Sequence, residues 1–453
     1  MKKMTEGSPA RLIIAFAIPM MIGNLFQQLY NMADMFIVGH TLGPDKLGAI
    51  GCTSSISMII LHIAIGLTGG FCVLTARYFG ANDEGNVRKS FATGILLSVI
   101  AVVLITVIGL IVLKPFMRFL NTREELFEDA YSYIRIIVAG TCATLFYNYF
   151  AGVLRGLGDS RRPLYILIAA SILNIALDYL LILVFDMGVA GAATATITSQ
   201  TFSAVCCYVV IRKTIPMLRV KAADLKTVTG KSIGQHLKIG LPMSFQWSLI
   251  SVGQLVMQSA LNQLSVAAVT AFSTANKLDM FALMPSMSFS SAMAAYVPQN
   301  YGARNPERIR KGVRICILMS CAICETIGII DIFFGEYFAA FFIGSHDPEL
   351  TGLVHRYLII TGSMYFLHPL LMTYRNAAQG LGRTVAPVLS GVMELIMRFT
   401  TATVLVPNFG FTGACFSSPL SWIGSVIPLG IAYYIAIAKF TKEVNEERAQ
   451  ASP

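Results

Sequence analysis

Twelve long apolar runs follow one another along this chain, near residues 12–38, 50–76, 91–113, 131–153, 163–185, 189–211, 236–260, 265–296, 313–335, 353–377, 385–406 and 411–437. Each suffices to carry a helix across a hydrocarbon core about 30 Å thick. Hydrophobic residues make up 55% of the 453 and charged residues only 13%, against about 25% charged in soluble domains. That leaves too little polar surface to coat a soluble protein of this size, and the reading is an all-α polytopic membrane protein with twelve transmembrane helices, its partner the lipid bilayer. The first run is too long for a signal-peptide core and no small-residue cleavage site follows it, so it is read as the first span.

Lysine and arginine set the orientation, because positive residues concentrate in cytoplasmic loops. With the N-terminus inside, 26 of the 34 basic residues fall on that side, seven of them (Arg212, Lys213, Arg219, Lys221, Lys226, Lys231 and Lys238) in one stretch. The opposite loops hold only Lys46, Lys114, Arg118 and Arg123. Both termini are therefore expected in the cytoplasm. The net charge of +10 is a topology signal and gives no reason to expect nucleic-acid binding.

The basic stretch also divides two halves that resemble each other. "YFGANDEGNVRKS" at 78–90 matches "QNYGARNPERIRKG" at 299–312, and "GLGDSRRP" at 156–163 matches "GLGRTVAP" at 380–387, at offsets of 222 and 224. Pro19 in "IPMMIGN" aligns with Pro242 in "LPMSFQW". Matches in one order at nearly one offset mark an internal repeat. An even number of spans between equivalents gives the halves one orientation, so two pseudo-symmetric six-helix bundles around a central cavity are expected. The boundaries read as 1–211 for the N-terminal lobe, 212–235 for a cytoplasmic linker, 236–440 for the C-terminal lobe and 441–453 for a cytoplasmic tail.

Polar residues inside the spans carry the functional reading. Asn24, Gln27, Gln28, Asn31 and Asp34 fall on one helical face of the first span, and Ser244, Trp247, Ser251, Gln254 and Gln258 form a similar stripe in the seventh. Lipid cannot satisfy such a stripe, so it faces protein or a water-filled cavity. Amides alone could simply join helices; an acid at this depth costs several kcal/mol on typical insertion scales. Span five adds Ser171, Asn174 and Asp178 on one face, and span six offers Thr194, Thr196 and Ser199. At a rise of roughly 1.5 Å per residue, Asp178 lies roughly 22 Å above the cytoplasmic end of its helix and Thr196 roughly 12 Å below the outer end. That arithmetic permits one cluster in the N-terminal bundle. Two neighbouring carboxylates there cannot both stay ionised cheaply, so the pair must share a proton or recruit a cation. An all-oxygen donor set suits H+ or a hard ion such as Na+ at Asp34 and Asp178, and no transition-metal site is expected. Pro19 and Gly23 supply a plausible bend in span one.

"LYNMADMFIVGHTLG", "QNYGARNPERIRKG", "VLRGLGDSRRP", and "LNIALDYLLI" followed by "GVAGAATATITSQ" resemble the multidrug and toxic compound extrusion (MATE) family, over essentially the whole chain. The resemblance implies a two-lobed antiporter, not an enzyme, that exports lipophilic, mostly cationic organic compounds in exchange for H+ or Na+ by alternating access across a bacterial inner membrane. It assigns Asp34, Asn174, Asp178 and Thr196 to an N-lobe cation site, Gln27, Asn148 and Ser171 to polar cavity positions, and Pro19 to the helix bend. Gln28, Asn31 and Gln254 join the expected substrate cavity, and Lys277 either lines it or bonds backbone carbonyls. Span seven carries no acid, unlike a branch of the family that uses C-lobe acids. A lipid-linked-precursor flippase is the nearest alternative, and an ion channel or receptor-like membrane protein the more distant one.

Glu394 and Arg398 stand i, i+4 and suggest a structural ion pair, while Glu325 is deep and isolated. Cys321 and Cys324 sit inside a span with no second pair, the nine cysteines form no disulfide framework, and there is no phosphate-binding GxxxxGK[ST] loop. No cofactor is therefore expected. The repeat completes a cavity within one chain, so a monomer suffices.

Overall fold

The computed structural model describes residues 3–120, 122–343 and 347–451, and among them every regular element is helical. In chain order these are α1 (Pro9–Leu42), α2 (Pro44–Gly80), α3 (Glu84–Phe119), α4 (Glu124–Ala139), α5 (Thr141–Gly156), α6 (Arg161–Tyr179), α7 (Gly188–Thr214) and a short α8 (Ala222–Leu225). There follow α9 (Gly230–Leu261), α10 (Val266–Ala282), α11 (Met284–Gly302), α12 (Pro306–Ile343), α13 (Pro348–Gly362), α14 (Leu367–Gly380), α15 (Val385–Thr400), α16 (Val406–Cys415) and α17 (Ser417–Ala451).

Eight of these stretches are single helices long and apolar enough to cross a membrane, and two more spans are bent pairs, α4 with α5 at 45° and α10 with α11 at 47°. With each pair counted as one span, the described residues hold up to ten, against the twelve the sequence reading expects; α9, α13 and α14 are not among them. The bends have local causes. Gly140 separates α4 from α5, and a Cβ there would meet Ile197 of α7 at 2.4 Å. Pro285 stands in the first turn of α11, where its missing N–H costs no helical bond. Residues Val103, Leu104, Val107, Ile108 and Ile111 of α3 are all more than half exposed, an uninterrupted surface for lipid.

Both halves carry the same irregularity. α6 ends in a π-helical turn, Leu180–Val184, and α15 in another, Thr401–Leu405. Thr401 stands 221 positions after Leu180, so the turns occupy equivalent places in the repeat. Such turns concentrate at functional sites, and the first begins two residues after Asp178.

The chain forms two compact units. The first contains Ile22–Ser244; the second combines Met4–Met21 with the chain from Phe245 onward. α1 and α9 are thus each divided between units. In the first unit Phe71, Phe91, Tyr149, Phe150 and Leu154 centre the core; in the second, Ile13, Phe16, Phe289, Tyr296 and Tyr433 do so. Lipid is as apolar as these side chains, so close backbone approach and interhelical hydrogen bonds hold such helices together. In the first unit α2 and the first half of α9 show both. A Cβ on Gly70 would lie 2.4 Å from the Gly240 Cα, and one on Gly66 would lie 2.3 Å from the Ser244 Cα.

Nearby, His236 Nδ1 faces the Ser232 carbonyl at 2.8 Å and must donate to it, leaving Nε2 of the neutral ring to accept from Ser90 Oγ at 2.9 Å. Ser90 Oγ can then accept from Thr75 Oγ1 at 2.9 Å, a chain that joins α9 to α3 and α2. In the second unit the Met4 N–H donates to Gln299 Oε1 at 2.9 Å, and its carbonyl accepts from Asn300 Nδ2 at 3.1 Å.

Candidate functional site

The first unit brings Asp34 of α1 together with Asn174 and Asp178 of α6 and Thr196 of α7. Asn174 is 1% and Asp178 0% exposed. With the Asn174 amide turned nitrogen towards the acid, Nδ2 donates to Asp178 Oδ2 at 2.9 Å and its oxygen accepts the Thr196 backbone N–H at 3.1 Å. The Asp34 and Asp178 carboxyls are in side-chain hydrogen-bond contact, which two carboxyls can make only if one proton lies between them. Asp34 Oδ1 and Asp178 Oδ1 are buried with no donor N–H or O–H among the described residues. Partnerless oxygens in a water-poor setting are costly unless a ligand meets them. The four residues expected to form a cation site therefore converge.

Two residues absent from the sequence reading join them. The Tyr30 hydroxyl, one helical turn before Asp34, stands beside the Thr196 side chain. Tyr133 of α4 stands within electrostatic range of Asp34, Tyr30 and Asp178. Tyrosine in an apolar run reads as packing, and α4 shows no polar stripe around Tyr133; the i−4 spacing of Tyr30 from Asp34 was the only available signal. All the donors are oxygens or amides. No group of three or more His, Cys, Asp or Glu residues suited to a metal exists among the described residues.

The other expected positions separate. Gln27 and Asn31 are exposed along α1, Gln28 is half-buried, and Asn31 Nδ2 donates to Gln28 Oε1 at 3.5 Å. Asn148 Nδ2 donates to the Thr144 carbonyl at 2.8 Å and Ser171 Oγ to the Leu167 carbonyl at 2.9 Å; both bond their own helices. Gln254 and Lys277 belong to the second unit and are exposed. α1 runs unbroken through Pro19.

Charged residues elsewhere take structural posts. Glu394 is ion-paired with Arg375 of α14 instead of Arg398, and the Ser425 hydroxyl donates to the same Glu394 oxygen at 3.3 Å. Glu325 Oε1 accepts the Phe366 backbone N–H at 2.6 Å, capping the start of α14. Asp159 Oδ1 accepts the backbone N–H groups of Arg161 and Arg162 at 3.2 and 3.1 Å, fixing the entry to α6.

The MatE family model matches this chain twice, over residues 19–180 and 242–404, each match covering one copy of the repeat. The chain belongs to the MATE family. Over 431 residues it is 26% identical to the probable multidrug resistance protein YpnP of Bacillus subtilis, covering 95% of this chain and 93% of that one. It is 24% identical over 435 residues to the FAD transporter of Shewanella oneidensis, with 94% of each chain covered. A solved outward-facing multidrug resistance MATE family transporter superposes with a TM-score of 0.85 at 26% identity, covering 98% of both chains. MATE membership makes this a multi-pass membrane protein, and the two matches account for its doubled architecture.

Proposed function

We propose that this MATE protein is a secondary antiporter that exports lipophilic, mostly cationic organic compounds from the cytoplasm of a bacterial cell in exchange for H+ or Na+. The observation that carries the reading is the Asp34–Asp178 pair, two acids from separate helices placed in contact inside an apolar bundle and oriented by Asn174. Keeping both ionised is costly, so the pair captures a cation, and its occupancy changes the charge of the unit's interior. The relatives described as multidrug resistance proteins support the substrate class, and an acidic interior favours cations over the anionic cargo of a flippase. The coupling ion is cargo, held by the carboxyl oxygens of Asp34 and Asp178 with Thr196 and the Asn174 amide around them.

Gln27, Gln28, Asn31, Asn148 and Ser171 in the first unit, and Gln254 and Lys277 in the second, would orient the substrate's polar groups along the transport path. The exposed Phe26, Met32, Met35 and Phe36 of α1 offer adaptable apolar contact for its body. Because residues 9–21 of α1 pack in one unit and 22–42 in the other, a change at Asp34 acts on a helix that both share. Cation binding then biases the equilibrium between states open to opposite sides of the inner membrane, with both termini in the cytoplasm, as far as the cation's affinities for those states differ. A single chain suffices.

Linkage tests the reading. If cation and substrate exclude each other, ethidium bound to detergent-purified protein is released on acidification, or on addition of NaCl at fixed pH, and Asp178→Asn loses that sensitivity. Ethidium binding that responds to neither cation contradicts it.

A further inference from the structure

The second unit contains another pair of acids, at places the repeat does not predict. The position 221 residues after Asp178 is Phe399, so the C-terminal copy of the first site lacks its acid. Asp279 of α10 and Asp331 of α12, each 6% exposed, approach one another elsewhere. Asp279 spends both oxygens on tyrosines: Oδ2 accepts from the Tyr357 hydroxyl of α13 at 2.6 Å, and Oδ1 from the hydroxyl of Tyr365 in the turn between α13 and α14. Asn276 Oδ1 stands 3.4 Å from the same Tyr357 hydroxyl. Tyr365 also stands beside the Asp331 side chain, whose Oδ2 is buried with no hydrogen-bond partner among the described residues.

Counting protons decides what this cluster lacks. A phenol owns one hydroxyl proton. Tyr365 spends it on Asp279, so none is left for Asp331, whose carboxylate has no proton of its own to give. Two neighbouring buried acids, one of them with a partnerless oxygen, are complete only with one proton more than two ionised carboxylates supply. The surroundings add little compensation. Arg398 of α15 lies within range of Tyr357, the Cys415 thiol of α16 lies within range of Asp279, and Lys277 is exposed on α10. Arg375 is already paired with Glu394.

We infer that Asp279, Tyr365 and Asp331 form a second ion site, which takes up one proton with the partnerless oxygen of Asp331 as its open position. The proton attaches to a carboxylate oxygen, no other bond breaks, and the cluster's charge rises by one. The inference is independent of the proposed coupling pair in the first unit. If both hold, a transport cycle has two separate protonation events to count.

The test is infrared difference spectroscopy on the full-length protein in Na+-free buffer, following the C=O stretch of protonated carboxylic acids as pH is changed. It uses an Asp34→Asn/Asp178→Asn background, which removes the proposed coupling pair from the signal, and stays above about pH 5.5, where exposed acids remain ionised. The expected result is a titrating band of one carboxyl per chain in that range, lost in Asp331→Asn. Tyr365→Phe, which keeps the ring packing and removes only the hydroxyl bonded to Asp279 beside Asp331, should displace the band's frequency and midpoint. This second variant carries the test if Asp331→Asn does not fold. Absence of a titrating band from the background protein, its survival in Asp331→Asn, or its indifference to Tyr365→Phe would each overturn the assignment.

Discussion

Asn174 ties α6 to α7: its nitrogen donates to Asp178 Oδ2 at 2.9 Å while its oxygen takes the Thr196 backbone N–H at 3.1 Å. The amide thereby orients the deepest acid of the first unit without adding charge. Hydrogen bonds to charged groups contribute about 1.5–3 kcal/mol, so Asn174→Ala should weaken competition between cation and substrate by about ten- to a hundredfold. Asn174→Gln, one methylene longer, should retain more than Ala only if its amide still reaches Asp178. The measurement is ethidium binding as a function of pH in each purified variant.

Close helix approach in the first unit gives a stability contrast. The Cβ of Gly70→Ala would sit 2.4 Å from the Gly240 Cα, and backbone cannot step aside as a flexible side chain can. Overpacking costs about 1–3 kcal/mol, so thermal unfolding in detergent should shift down. Gly234→Ala, also helical, meets nothing within 4 Å and should be neutral or stabilising by about 0.5–1 kcal/mol. Equal effects of the two variants would refute the packing account.

The Arg375–Glu394 pair is buried on both sides, with side chains 3% and 6% exposed. Removing one partner strands the other charge, and Arg375→Met should cost about 3–5 kcal/mol. Adding Glu394→Leu should recover most of that loss, because no charge is then left behind. A double-mutant cycle on detergent melting temperatures measures the recovery.

At the turn before α3, Asp83 caps the helix by accepting the Asn86 N–H at 3.0 Å, and that bond with the Asn86 side chain holds its carboxyl below the usual carboxylate range. A depressed folded pKa adds stability that is present above the unfolded value and lost as pH falls through the folded one. Asp83→Ala should therefore unfold earlier than wild type at neutral pH, and the difference should vanish in strong acid.

The fold was legible because lipid imposes long apolar runs and cytoplasmic loops collect positive charge; the repeat was legible through short turn motifs such as "GLGDSRRP". The carboxylate pair could be read from helical spacing and depth, since Asn174 and Asp178 share a face by arithmetic alone. Relations across helices were not. Glu394 stands i, i+4 from Arg398, yet tertiary packing hands it Arg375 of α14. Asp279 stood next to the conspicuous Lys277, while its partners Tyr357 and Tyr365 lie about eighty positions away and look like packing residues. Glu325 found its role in a backbone N–H, which no side-chain pattern encodes.

The central claim is that occupancy of the Asp34–Asp178 pair drives export. Its most direct test is ethidium efflux from proteoliposomes under an imposed inward pH gradient, and separately an inward Na+ gradient, with cation influx recorded alongside. Wild type should show efflux and influx in fixed proportion under at least one gradient, and Asp178→Asn should lose the gradient-driven component while still binding dye. Gradient-driven efflux that survives unchanged in Asp178→Asn would contradict the account.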